Sequence, residues 1–148
     1  MNIEDRFLHL LYRLRTLGAE APPFEAFQIS PAQLMLLSWI ADHPGCHIQN
    51  VATGLGLTSP TVSVGLRRLE QGGLLRREPD PTDKRARRLF LTPQGEALYQ
   101  EVLAFRRAKA RQFLSGLTAA EQETLLALWE RALHAAEASS RNPSHLST

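Results

Sequence analysis

The 148-residue chain holds a single cysteine, Cys46. That excludes an internal disulfide framework and, with it, the small secreted scaffolds that depend on one. No apolar run approaches the ~18 residues that a membrane-crossing helix needs. The opening stretch, MNIEDRFLHL, is acidic and amphipathic, unlike a signal peptide. A cytoplasmic protein is the expectation. Also missing are a nucleophile beside a plausible base, a glycine-rich phosphate loop and paired carboxylates. Neither an enzyme nor a cofactor is expected. HPGCH gathers His43, Cys46 and His47, but Pro44 and Gly45 break the helix and no fourth ligand is apparent. No metal site is expected, and Cys46 reads as a plain small residue rather than a redox centre.

Hydrophobic residues make up 43% of the chain and charged residues 22%, enough for a packed core in one domain of ordinary size. Net charge is only +2, but it is unevenly spread. Residues 60–90 carry eight Lys/Arg and four Asp/Glu, against nine and eleven elsewhere. REPDPTDKRARRLFLT, residues 77–92, crowds Arg77, Lys84, Arg85, Arg87 and Arg88 around a Pro-Asp turn. Like charges repel, so such a cluster needs either solvent screening or an anionic partner.

Helix starts are marked by capping chemistry. Asn2 precedes a stripe of Ile3, Phe7, Leu10, Leu11 and Leu14. Ser30–Gln33 reads as a cap, a first-turn proline and a reciprocal glutamine, opening a helix with Leu34, Leu37, Ile40 and Ala41 that stops at His43–Gly45. A short helix follows within Ile48–Leu57, with Ile48, Val51, Ala52 and Leu55 on one face and Gly56 as a left-handed stop. Gly54 inside it reads as a weakness of ~1 kcal/mol relative to alanine. Thr58 starts another helix, ending at Gly72 and Gly73. Thr92 starts a long one to about Leu114. Thr118–Glu121 is a capping box for a last helix with Leu125, Leu128, Trp129, Ala132 and Ala136. Gly18–Gln28, with Pro22 and Pro23, reads as a linker, and residues 139–148 as a frayed tail. The two strands expected are Leu74–Glu78 and Arg88–Thr92, joined by the turn-forming PDPTD.

Short helix, tight turn, second helix and β-hairpin together spell a helix-turn-helix with a wing. Val51, Ala52 and Leu55 can pack on Val62, Leu66 and Leu69, and Gly65 permits close approach. The other face of the second helix offers the hydroxyls of Ser59, Thr61 and Ser63 near its positive dipole end, then Arg67 and Arg68. Such a helix fits a major groove, where Val64 can touch a thymine methyl. Wing arginines suit a narrow minor groove. Asp83 is expected to hold Arg85 or Arg87 through a charge-assisted hydrogen bond. The alternative is a winged-helix module that docks protein or RNA.

LTSPTVSVGLRRLEQGGLL and GLLRREPDPTDKRARRLFLTPQGEAL resemble the recognition helix and wing of the MarR (multiple antibiotic resistance regulator) family of winged helix-turn-helix transcriptional regulators. Asp83, Lys84 and Arg85, followed by Leu89–Pro93, match the family's acidic-basic-basic wing and its Leu-Thr-Pro exit. The resemblance covers nearly the whole chain. It implies a mainly α fold with a small β-hairpin wing and a homodimer reading a pseudo-palindromic operator. It also implies a repressor relieved by a small phenolic or lipophilic effector. On this pattern residues 1–148 form one MarR-like domain. Within it, 30–92 is the DNA-binding lobe, and 1–17 and 93–138 are dimerisation helices. Pro60, Thr61, Ser63 and Val64 fall where bases are contacted, although a basic residue is frequent at the position of Val64. Arg85 falls in the minor groove, beside Lys84 and Arg87. Dimer contacts fall to Phe7, Leu11, Leu125, Trp129 and Leu133; the last three are awkward on a monomer in any case. Effector candidates are His9, Tyr12, Phe24, Phe27 and Trp39, with Phe24 and Phe27 suggesting a lid.

Overall fold

A computed structural model describes residues 1–17 and 24–141. The chain divides into two compact units, Met1–Ala108 and Lys109–Thr148. The first holds α1 (Ile3–Thr16), α2 (Phe24–Phe27), α3 (Pro31–Asp42), α4 (Ile48–Leu55), α5 (Ser59–Gln71), β1 (Leu75–Pro79), β2 (Arg87–Leu91) and most of α6 (Pro93–Leu114). The second holds the end of α6 and then α7 (Ala119–Ser140). The fold is mostly helical with one antiparallel hairpin: a winged helix.

The caps explain the boundaries. Asn2 accepts from the Asp5 amide at 2.7 Å. Ser30 and Gln33 bond reciprocally at 3.1 and 2.9 Å, as do Thr118 and Glu121 at 3.3 and 2.8 Å. Each bond satisfies a first-turn donor that has no partner inside its own helix. Gly56 ends α4 at φ 64, a left-handed conformation that glycine adopts without a Cβ penalty.

The first unit is built around α3. Leu34, Leu36, Leu37 and Ile40 of α3 are buried with Val51 and Ala52 of α4 and Val62, Leu66 and Leu69 of α5. Leu75, Leu89, Leu91 and Val102 close the cluster from the hairpin and α6. The hairpin pairs Leu75 with Leu91, Arg77 with Leu89 and Pro79 with Arg87. A further bridge forms where the Gly45 amide donates to the Leu89 carbonyl and the Leu89 amide donates to the Cys46 carbonyl, both at 2.8 Å. The turn after α3 thus acts as a one-residue third strand.

Thr92 joins hairpin to α6 without a spacer. Its hydroxyl donates to the Gly73 carbonyl at 2.5 Å and accepts from the Gly95 amide at 3.0 Å, and its own amide donates to the Leu74 carbonyl at 3.0 Å. Gly95 is buried, and a Cβ there would collide with that same Leu74 carbonyl.

Several expectations are corrected. The stretch read as linker contains a helical turn, α2, ended by Gln28 at φ 53; Pro22 and Pro23 lie outside the described residues. Positions 139 and 140, read as part of a frayed tail, belong to α7. Ser139 and Ser140 are still helical, their hydroxyls donating to the carbonyls of Ala135 and Ala136 at 3.0 Å, and residues 142–148 lie outside the description. Gly65 makes room for Leu36 of α3, not for α4.

Gly54 changes sign altogether. A Cβ at this position would lie 2.5 Å from three atoms of the Trp39 indole. Helix propensity alone says that Gly54→Ala stabilises by ~1 kcal/mol. Forcing a methyl into packed surroundings costs about 1–3 kcal/mol, so the expected net result is destabilisation. Thermal or urea unfolding measures it, and a raised midpoint for Gly54→Ala contradicts the packing described.

Candidate nucleic-acid interface

Helix α5 has two faces. Val62, Leu66 and Leu69 are buried, while Pro60, Thr61, Val64, Arg67 and Arg68 are exposed. Positions 60, 64, 67 and 68 fall on one stripe of a 3.6-residue repeat, so one side of the helix is free to enter a groove. Thr58 caps the helix, accepting from the Thr61 amide at 3.4 Å and sharing a 2.8 Å hydrogen bond with its hydroxyl. Ser59 and Ser63 are only half-exposed, and the Ser59 hydroxyl donates to Gln49 of α4 at 3.4 Å. Val64 is 47% exposed, an apolar side chain held at the surface.

The five cations crowded around the hairpin separate into two kinds. Arg77 is tied to Glu70 of α5 at 2.7 Å. Arg88 lies 5.2 Å from the Phe90 ring centre, with Arg76 at 4.6 Å, and Arg76 also pairs with Glu78. These side chains hold the hairpin to itself and to α5. Lys84, Arg85 and Arg87 are exposed, and, among the described residues, none of the three takes part in an ion pair. The same holds for Arg67 and Arg68. Five cations on the exposed stripe of α5 and the hairpin tip are therefore left to solvent or to an external anion.

The turn is organised differently from expectation. Asp83 does not hold a guanidinium; its carboxylate accepts the Arg85 backbone amide at 3.0 Å. A short aspartate reaches an amide two residues on more readily than it immobilises a long, solvated arginine. The main organiser is Asp80. One oxygen accepts from the Thr82 amide and hydroxyl, both at 2.8 Å, and from the Asp83 amide at 3.2 Å. The other meets His47 Nε2 at 2.6 Å. The Thr82 amide first, then the Thr82 hydroxyl and His47, hold the Asp80 carboxyl well below the usual carboxylate range, so it accepts hydrogen bonds throughout neutral pH. Asp80 was passed over in the sequence, where the Asx-turn pattern Asp-Pro-Thr could have marked it; nothing local marks its His47 partner, 33 residues away.

The effector candidates are not gathered in one place. His9 and Tyr12 are exposed on α1. Trp39 is stacked on His43, ring centres 3.8 Å apart, and the His43 ring donates from Nδ1 to the Trp39 carbonyl at 2.8 Å. Phe27 meets Phe105 edge-on at 6.5 Å, which makes it a packing residue of α2 against α6. The side chain of Phe24 lies outside the description. Among the candidates whose side chains are described, Phe27 alone lines a cleft of about 370 Å³, with Gln33, Arg68, Leu74, Leu98 and Glu101. A second, mostly apolar cleft of about 310 Å³ lies between α3 and α5, lined by Met35, Leu36, Thr61, Val64 and Arg68. Arg68 borders both. Cys46 is half-buried, and burial pushes its thiol upward from the ordinary value, away from the reactive thiolate.

Of the dimer candidates, Phe7 (52%), Trp129 (39%) and Leu133 (49%) are well exposed, Leu11 is just so, and Leu125 is half-buried. No residue of α1 or of α7 is buried.

Comparison with known proteins agrees with this geometry. A family model described as the MarR family matches residues 27–86. The transcriptional regulator HosA of Escherichia coli is 30% identical over 128 residues, covering 86% of this chain and 95% of HosA. The HTH-type transcriptional repressor MdtR of Bacillus subtilis is 34% identical over 99 residues, 67% of this chain and 63% of MdtR. Among solved structures, a mutant of S. aureus MepR superposes with a TM-score of 0.76 at 26% identity, covering 91% of this chain and 98% of MepR. Another MepR mutant, bound to an oligodeoxyribonucleotide, gives 0.65 at 25% identity over the same shares. No helix among the described residues is long and apolar enough to cross a membrane.

Proposed function

Since the chain belongs to the MarR family of DNA-binding transcriptional regulators, we propose that it works as a homodimer reading a pseudo-palindromic operator. The observation that carries the dimer is the bareness of α1 and α7: 14 and 22 residues long, with large apolar side chains and none of them buried. Helices of that length draw most of their stability from tertiary packing, so the missing surface belongs to a second copy. In this reading residues 1–17 and 93–138 dimerise, and residues 30–92 dock on DNA.

Each copy lays the exposed stripe of α5 in a major groove. Pro60, Thr61, Ser63 and Val64 face base edges, and Ser59, Arg67 and Arg68 face phosphates. Arg85 enters the flanking minor groove, with Lys84 and Arg87 beside it on the backbone. Val64 reads a thymine methyl where many relatives carry a cation, which makes its half-site less dependent on charge there.

Occupation of the operator represses, as the name of MdtR says of that relative. A small phenolic or lipophilic effector in the cleft beside Phe27 releases it. What supports that site is Arg68, which borders the cleft and also stands on the proposed DNA face, so a ligand there competes for a DNA-binding cation.

Salt dependence tests the DNA reading. Neutralising ~6 phosphates gives a log-log slope of affinity against salt near −5. Fluorescence anisotropy on a duplex selected from a random pool measures it. A flat slope, together with tight capture of a protein or RNA ligand, transfers the winged helix to the other class of partner.

A further inference from the structure

His47 stands at the N-cap of α4, where Ser, Thr, Asp or Asn supplies the usual cap. Its ring makes no cap hydrogen bond; the His47 amide donates to the Asn50 side chain at 2.8 Å. The imidazole turns instead toward the hairpin, and Nε2 lies 2.6 Å from Asp80 Oδ2. An ionised carboxylate only accepts, so Nε2 carries the proton and donates it. The Asp80 side chain is 9% exposed and that of His47 41%, so the contact is shielded on its acidic side.

The other attachments of the hairpin lie nearer its base. Leu89 pairs with Gly45 and Cys46, and Arg77 pairs with Glu70. Asp80 opens the turn, and among the described residues its bond to His47 is the outermost side-chain tie between the hairpin and the helices. From Asp80 the order continues outward. Its other oxygen fixes the amides of Thr82 and Asp83, and Asp83 fixes the amide of Arg85. An unbroken run of hydrogen bonds thus joins the first helix of the helix-turn-helix to the backbone of Arg85.

The geometry points to His47 as a positioning residue for DNA binding: its bond to Asp80 sets the wing tip, and with it Arg85, relative to α5. This rests on the wing reading proposed above. The tie lowers the entropy that the tip loses on docking, because the tip is already held where the duplex meets it. It touches no DNA itself, and it serves the two helices only through the wing.

The decisive variant is His47→Thr. Threonine is a good N-cap but too short for Asp80, so unfolding midpoints should hold or rise while binding weakens. Loss of this hydrogen bond weakens each half-site by about two- to five-fold, which a symmetric dimer multiplies to about four- to twenty-five-fold on a full site. His47→Gln, whose amide can donate over a similar reach, should recover most of the affinity. In an Arg85→Ala background, His47→Thr should cost almost nothing further, since a wing without its reader gains little from being aimed.

The probe is a duplex recovered from a random pool with the wild-type protein. Wild-type affinity in His47→Thr, beside a clear loss in Arg85→Ala, overturns the tie and leaves the wing reading standing. Full additivity with Arg85→Ala, or no recovery in His47→Gln, likewise overturns it. No loss in Arg85→Ala removes the wing reading itself.

Discussion

Trp129→Glu should leave a chain that no longer pairs at micromolar concentration, with light scattering giving half the mass of the wild type. Trp129 lies 39% exposed on α7, flanked at helical spacing by Leu126 and Leu133, which are 47% and 49% exposed. In a single chain these side chains hold apolar surface against water for no gain. Covered by a partner, a tryptophan near the centre of an interface contributes about 2 kcal/mol or more. A twofold axis places the residue in the interface twice. The dimer constant is therefore expected to weaken by about a thousandfold, since each ~1.4 kcal/mol is a factor of ten. A carboxylate adds its own desolvation cost to that loss. Trp129→Phe keeps an apolar ring and should remain dimeric. An unchanged mass for Trp129→Glu removes α7 from the interface.

Arg85→Ala should keep its dimer and lose its operator. Arg85 is exposed at the hairpin tip, and its backbone amide is fixed by Asp83. A guanidinium in a minor groove, or bonded to a base edge, accounts for about 1–3 kcal/mol. Two half-sites make that at least ~2 kcal/mol, or about a thirtyfold fall in affinity. Arg76→Ala is the contrast. That side chain is engaged with Glu78 and the Phe90 ring, so its loss should register in the unfolding midpoint more than in binding. Equal affinity of Arg85→Ala and the wild type at physiological salt refutes the wing assignment.

Local chemistry made much of this fold legible. A cap acts over three residues, so Ser30 with Gln33 and Thr118 with Glu121 mark helix starts in sequence and do so in space. The stripes of α4 and α5 follow from a 3.6-residue period, and their apolar positions are buried or partly buried. Pairings across many residues were not legible. Nothing local says that Arg77 will meet Glu70 or that His47 will meet Asp80, because each meeting depends on how the hairpin folds back. Asp83 looked like a partner for a guanidinium because opposite charges stood close together. The shorter route to its neighbour's amide won. Gly54 looked like a flaw because propensity scales consider a helix alone, and here Trp39 occupies the missing side chain's place. The effector site was the least legible. Aromatic residues mark cores and ligand sites alike, and Trp39 and Phe27 are both engaged with other rings.

The seam at Thr92 limits how such a protein can vary. One added residue between Leu91 and Pro93 would swing the following helix by about 100°, one step of a 3.6-residue turn. It would also pull the Thr92 hydroxyl away from both Gly73 and Gly95. An added residue is better accommodated at the far end of the ribbon, between Asp80 and Ala86, than at this seam. There, a change of length leaves the junction between β2 and α6 as it is.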